Sequence, residues 1–210
     1  MAHALKAHVL PEPTVYAVDD DPIVRILLAA LFEGANIPVE TFSSAEEFLE
    51  VYTPDNPGVL LLDIVMPGMS GLELQKVLAV YGNNTPIIFL TGAAEVSMVI
   101  DALKSGASDF IEKPVQPTMV LDCVKKAMGV DLQSRYDRLQ KSQVEQRMML
   151  LTPREQEVMG WLVKGKSNKS IARILGISGR TVEVHRSKVV DKMHAHSMID
   201  LATMLMKVES

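Results

Sequence analysis

This chain of 210 residues has almost no cysteine: Cys123 stands alone, which excludes an internal disulfide and a thiolate zinc cage. Long hydrophobic runs are missing too. The longest apolar stretch, Ile23–Phe32, is broken by Arg25 and has about half the length that a bilayer span requires. The opening residues, MAHALKAHVLPEP, lack the apolar segment of an export signal. No repeat or low-complexity segment stands out. What is present is ordinary for a folded globular protein, with 48% apolar and 22% charged residues. The expectation is a soluble cytoplasmic protein without membrane association, long enough for one large domain or two small ones.

The net charge of −5 conceals a division. Residues 1–128 carry 7 Lys/Arg against 17 Asp/Glu, residues 129–150 carry 4 against 3, and residues 151–210 carry 10 against 6. An acidic front and a basic tail point to two modules with different partners.

In the front module five short apolar runs alternate with amphipathic stretches. The runs are Thr14–Val18, Val39–Phe42, Val59–Leu62, Ile87–Leu90 and Asp109–Glu112. The stretches between and after them are Ile23–Gly34, Ala45–Tyr52, Leu72–Tyr81, Val96–Ser105 and Thr118–Met128. Ser44 with Glu47 has the capping-box pattern, and Gly34, Gly82 and Gly106 fall where helices should stop. VLLL and IIFL are continuously apolar, as strands covered on both faces must be. The expected fold is α/β: after a tail over 1–12, a doubly wound five-stranded parallel sheet over 13–128, in the order 2-1-3-4-5.

Residues 130–149 contain neither Gly nor Pro, and Leu132, Tyr136, Leu139, Val144 and Met148 recur at loosely helical spacing. The segment 129–149 reads as a helical linker continuing the preceding helix, and as a candidate dimer seam. Residues 150–210 read as an all-α module of four short helices. Thr152-Pro153-Arg154-Glu155 opens the first, Ser167 caps the second, Ser178 the third, and Ser197 with Asp200 the fourth. Gly176-Ile177-Ser178 is the tight connection of a helix-turn-helix.

Chemistry gathers at the strand ends. Asp19, Asp20 and Asp21 follow the first strand, Asp63 ends the third, Thr91 the fourth and Lys113 the fifth. In the expected order the first and third strands are neighbours at the switch point, so Asp20 and Asp63 meet there with Asp19 close by. Clustered carboxylates repel, and Mg²⁺ relieves that repulsion with oxygen ligands and retained waters. A phosphoryl group on Asp63 would carry a charge of about −2 and need the cation on one side, with the Lys113 ammonium and the Thr91 hydroxyl on the other. An alternative from another class is a phosphohydrolase of the haloacid dehalogenase type. Asp19-Asp20-Asp21-Pro22-Ile23 partly imitates its signature and would make Asp19 the nucleophile.

The segments VDDDP, LLLDIVMPGMSGLEL, IIFLTG and SGASDFIEKP resemble the CheY-like receiver domain of two-component response regulators. The resemblance implies that Asp63 accepts a phosphoryl group from a sensor histidine kinase. By the same likeness Asp20 and the Val65 carbonyl are Mg²⁺ ligands, Asp19 acts largely through water, Lys113 contacts the phosphoryl group, Thr91 is the switching hydroxyl, and Phe110 is the aromatic that follows it. Lys113-Pro114 matches a peptide bond that is cis in such domains. Val65 departs from the pattern, standing where arginine or asparagine is common.

On the helix from Ser178 to Met193, Val182, Val189 and Met193 share one face, and Arg180, Val184 and Ser187 lie opposite, with Glu183 and Lys188 at the edges. Lys169, Arg180, Arg186 and Lys188 suit DNA phosphates, and Thr181 sits in the early turns that approach base edges. Val184 suits a thymine methyl and Glu183 a cytosine amine. The run from LTPREQ to VVDKM resembles the DNA-binding domain of the LuxR/NarL class, and SNKSIARILGIS with RTVEVHR is most similar to its FixJ-type branch. The resemblance implies a transcription regulator rather than an enzyme. It would form homodimers on phosphorylation through its fourth and fifth helices and last strand, bind promoter DNA, and act with RNA polymerase.

Overall fold

Parallel strands form where the apolar runs lie: β1 (Thr14–Val18), β2 (Val39–Phe42), β3 (Gly58–Asp63), β4 (Ile87–Thr91) and β5 (Asp109–Glu112), in the order β2-β1-β3-β4-β5. The computed structural model describes residues 11–54, 56–82, 84–92 and 106–209. The chain divides into two units, Met1–Arg135 and Tyr136–Ser210. The helices are α1 (Pro22–Gly34), α2 (Ala45–Val51), α3 (Gly71–Val80), α4 (Pro117–Met149), α5 (Pro153–Val163), α6 (Asn168–Leu175), α7 (Gly179–Met193) and α8 (Met198–Glu209). The expected helix Val96–Ser105 lies outside the described residues. Among the described helices none is long and apolar enough to cross a membrane.

Alternation along the strands feeds two apolar layers, one on each face of the sheet. Tyr16, Val18, Leu60, Leu62 and Phe89 join Phe42, Phe48 and Leu74 in the first. Val15, Ala17, Val59, Leu61, Ile88 and Leu90 join Leu28, Phe32, Val120 and Val124 in the second. Every residue of β3 and β4 is buried, which is why their sequences show no polar alternation.

Two glycines allow backbone to approach backbone. A Cβ on Gly58 would stand 2.1 Å from the Thr14 carbonyl oxygen, and one on Gly71 would stand 2.1 Å from that of Asp63. The second seats the start of α3 directly against the end of β3.

Helix ends follow local chemistry, with differences from expectation. Gly34 is the last residue of α1, and the left-handed position that closes the turn belongs to Asn36, φ 55°. Ser44 accepts the Glu47 N–H at 3.2 Å, but the Glu47 carboxylate reaches past it to the Ser43 N–H at 2.6 Å, so that box is only half formed. A complete one stands at Ser70–Glu73, starting α3 a residue earlier than expected.

The first turns of the linker segment belong to the N-terminal unit. Asp131 Oδ2 accepts from the Gly58 N–H at 3.0 Å and from Arg135 Nε at 2.7 Å. Arg135 also donates to the Pro54 carbonyl at 3.0 Å and to Thr85 Oγ1 at 3.2 Å. In the C-terminal unit Val144 is buried and Met148 packs beside it against Met159, Val189, Met193 and Leu201. Tyr136 remains exposed. Two of the linker's apolar positions, Val144 and Met148, thus serve the core of the C-terminal unit. Val158, Leu162, Ile171 and Val182 form the second cluster of this unit. Thr152 and Glu155 make a full capping box on α5, and Gly176, φ 65°, closes α6 in the left-handed conformation ahead of α7.

Candidate phosphoryl pocket and nucleic-acid interface

Because β1 and β3 are paired in register Val18↔Leu62, the residues that follow meet at one edge. Asp19 is fully buried, Asp63 is 7% exposed, and Asp20 is exposed. One carboxylate oxygen from each lies within 4.8 Å of the others. An all-carboxylate donor set with an open side suits a hard divalent cation that keeps waters.

The opposite side is cationic. The Lys113 ammonium stands 2.8 Å from Asp19 Oδ2 and 3.0 Å from Asp63 Oδ2. Its backbone is set by β4, since the Lys113 N–H donates to the Thr91 carbonyl at 2.8 Å. The Lys113-Pro114 peptide is cis. Thr91 is buried at the end of β4 and its hydroxyl donates to the Gly92 carbonyl at 3.1 Å. Phe110 lies half-buried against the first apolar layer, and Val65, 54% exposed, follows β3.

Burial pushes the Asp63 carboxyl above the ordinary carboxylate range, an effect that Lys113 opposes without cancelling. Burial works against the Lys113 charge, yet its bonds to Asp19 and Asp63 raise its pKa on balance. Both Asp19 oxygens are engaged, Oδ2 by Lys113 and Oδ1 by the Asp21 N–H at 2.9 Å. Asp19 is wholly buried whereas Asp63 is 7% exposed, so Asp63 is the more accessible nucleophile, which disfavours the phosphohydrolase alternative. Asp21 caps α1 by accepting the Ile23 N–H at 2.8 Å.

One contributor escaped sequence reasoning. Arg25 Nη1 donates to the backbone carbonyls of Asp19 at 2.6 Å and Asp20 at 2.9 Å, from the second turn of α1. In the sequence Arg25 only interrupts an apolar run. That interruption is itself the available signal.

In the C-terminal unit α7 buries Val182, Val189 and Met193. Arg180, Glu183, Val184, Arg186, Ser187 and Lys188 are exposed, as is Lys169 on α6. Val184 is 48% exposed amid this polar face. Thr181 is half-buried, its hydroxyl 2.8 Å from Ser178 Oγ, so it serves the helix cap. Lys164 and Lys166, exposed in the turn before α6, extend the basic surface; Lys164 Nζ lies 5.0 Å over the Trp161 ring.

A sheet of this order with acids at its switch point, and a separate helix-turn-helix unit, define a two-part regulatory protein. Residues 15–125 match the response regulator receiver domain, and residues 149–205 match the bacterial regulatory proteins of the luxR family. The chain belongs to the response regulators that combine these two domains. It is 40% identical over 190 residues to the transcriptional regulatory protein FixJ of Azorhizobium caulinodans, covering 90% of each. With FixJ of Rhizobium meliloti it shares 41% over 192 residues, 91% of this chain and 94% of the relative. Among solved structures it is similar to the response regulator StyR, with TM-score 0.86 and 39% identity over 93% of this chain and 99% of the other. Full-length FixJ from B. japonicum gives TM-score 0.59 and 33% identity over 94% and 98%.

Proposed function

We propose that the chain is a transcription regulator whose grip on promoter DNA is set by phosphorylation of Asp63. The observation that carries this reading is the Lys113 ammonium, 3.0 Å from Asp63 Oδ2, facing a cluster of three convergent carboxylates. Asp20, Asp63 and the Val65 carbonyl would hold Mg²⁺, with Asp19 acting through water. When bound, the cation supplies charge neutralisation to the phosphoryl oxygens. An Asp63 oxygen bonds to phosphorus as the P–N bond of the phosphohistidine on a sensor kinase breaks. Lys113 then holds the new dianion. The Thr91 hydroxyl turns from Gly92 toward it, and Phe110 follows into the space left.

Homodimers formed on phosphorylation would place two α7 helices about one DNA turn apart, roughly 34 Å, on a pseudo-palindromic promoter site. Lys169, Arg180, Arg186 and Lys188 bind phosphates, while Glu183, Val184 and Ser187 face the bases. Thr181 stands at the entry turn. RNA polymerase is the expected partner at the promoter, and the cytoplasm the place of action. With the receiver taken as 13–128, the linker as 129–149 and the DNA-binding domain as 150–210, the linker's first turns, through Arg135, pack with the receiver.

The test uses the full chain with acetyl phosphate and Mg²⁺. Wild type should take up one phosphoryl group, shift toward dimer, and bind duplex DNA more tightly. Asp63→Asn should lose all three responses. Undiminished labelling of Asp63→Asn would overturn the assignment.

A further inference from the structure

We propose that Arg25 is a positioning residue for the cation pocket, fixing the loop that presents Asp20 by holding two backbone carbonyls. The inference rests on the pocket reading above and concerns a residue outside its ligand set.

The loop between β1 and α1 is bonded from every side but one. The Asp19 side chain is held by Lys113 at 2.8 Å and by the Asp21 N–H at 2.9 Å. Asp21 is fixed at the head of α1, accepting the Ile23 N–H at 2.8 Å through its side chain and the Arg25 N–H at 3.2 Å through its carbonyl. Asp20 lies between these two; it is exposed, and one of its carboxylate oxygens lies within 4.8 Å of those of Asp19 and Asp63. Its backbone is secured through its carbonyl, which shares Arg25 Nη1 with the Asp19 carbonyl at 2.9 and 2.6 Å. One nitrogen with two hydrogens thus ties neighbouring peptide units to the second turn of α1. Because it binds carbonyls, it takes no carboxylate oxygen away from a cation.

Charge and positioning predict opposite signs. If Arg25 acted only as a positive charge beside a cation site, its removal would strengthen Mg²⁺ binding. If it positions Asp20, removal lets the loop wander and weakens binding, as loss of an outer support does at other metal sites. The two hydrogen bonds are short and charge-assisted, so positioning is expected to prevail.

The experiment titrates Mg²⁺ into full-length wild type, Arg25→Ala and Arg25→Lys by calorimetry. Alongside it, phosphoryl uptake from acetyl phosphate is followed against Mg²⁺ concentration. Arg25→Ala should raise the Mg²⁺ dissociation constant ~10-fold. Its uptake rate at saturating Mg²⁺ should stay within about twofold of wild type, the pattern of lost binding rather than lost chemistry. Arg25→Lys, which keeps an ammonium of shorter reach, should fall between. Arg25→Gln replaces the alanine variant if that variant fails to melt cooperatively. Mg²⁺ binding by the neutral variants as tight as wild type, or tighter, overturns the proposal. A wild type that binds Mg²⁺ and takes up phosphoryl while the variants behave identically sinks Arg25 alone. A wild type that does neither sinks the pocket reading itself, and Arg25's role with it.

Discussion

Replacing Arg135 by methionine should destabilise the N-terminal unit by about 3–5 kcal/mol, the range for stranding one member of a buried ion pair. The geometry places it there. Arg135 is 6% exposed and Asp131 1%, and the pair distance is 2.7 Å. Without the guanidinium, the Asp131 carboxylate keeps the Gly58 N–H on Oδ2, while Oδ1 has no partner among the described residues. The Pro54 carbonyl loses its donor as well. Replacing both partners, Asp131→Leu with Arg135→Met, removes both charges and leaves chiefly the Gly58 N–H unsatisfied, at about 1–3 kcal/mol. The double variant should therefore be more stable than Arg135→Met by roughly 2 kcal/mol. Peptide-resolved hydrogen exchange over β3 in the full chain measures this locally, free of signal from the C-terminal unit. An Arg135→Met chain within about 1 kcal/mol of wild type, or a double variant less stable than that single one, refutes the reasoning.

Gly71→Ala should cost about 1–3 kcal/mol and slow phosphoryl uptake, because a Cβ 2.1 Å from the Asp63 carbonyl must drive α3 and the end of β3 apart. Urea unfolding and labelling by acetyl phosphate check both effects, and wild-type behaviour in either contradicts the packing. Lys192, 2.6 Å away, and the Thr152 cap hold the Glu155 carboxyl down from 4.5 to about 2. A depressed pKa stabilises above the unfolded value and is lost as pH falls, so this contribution is full above about pH 5 and fades toward pH 2. Trp161 fluorescence should then show wild type losing about 2 kcal/mol more than Glu155→Gln over that window, and parallel acid profiles would refute the sign. Lys188→Gln should lower DNA affinity across sequences and reduce the salt slope by about 1, whereas Val184→Ala should change base preference and leave the slope alone. Duplex titrations at several salt concentrations separate the two.

The sheet was legible because its signal is strong: short apolar runs, four of the five closed by a polar residue with chemistry of its own. Those closing residues made Asp19, Asp20, Asp63, Thr91 and Lys113 visible before any coordinates. The inward face of α7 was equally plain, since Val182, Val189 and Met193 repeat at helical spacing. What escaped were partners that depend on the third dimension. Asp131 and Arg135 stand four apart in a polar helix, where such a pair ordinarily marks a solvated surface. Arg25 acts on backbone, which leaves no complementary side chain to notice. Ser44 and Glu47 matched a motif, but the competing Ser43 N–H took the carboxylate, and only geometry decides between adjacent donors.

The anchoring of α4 by Asp131 and Arg135 bears on how the protein can be taken apart. A truncation after Met128, where the polar stretch begins, would discard the acceptor for the Gly58 amide and the donor to the Pro54 carbonyl. The isolated fragment would then carry an open wound beneath β3, opposite the end that bears Asp63. Severing the chain just beyond Arg135 keeps that underside closed.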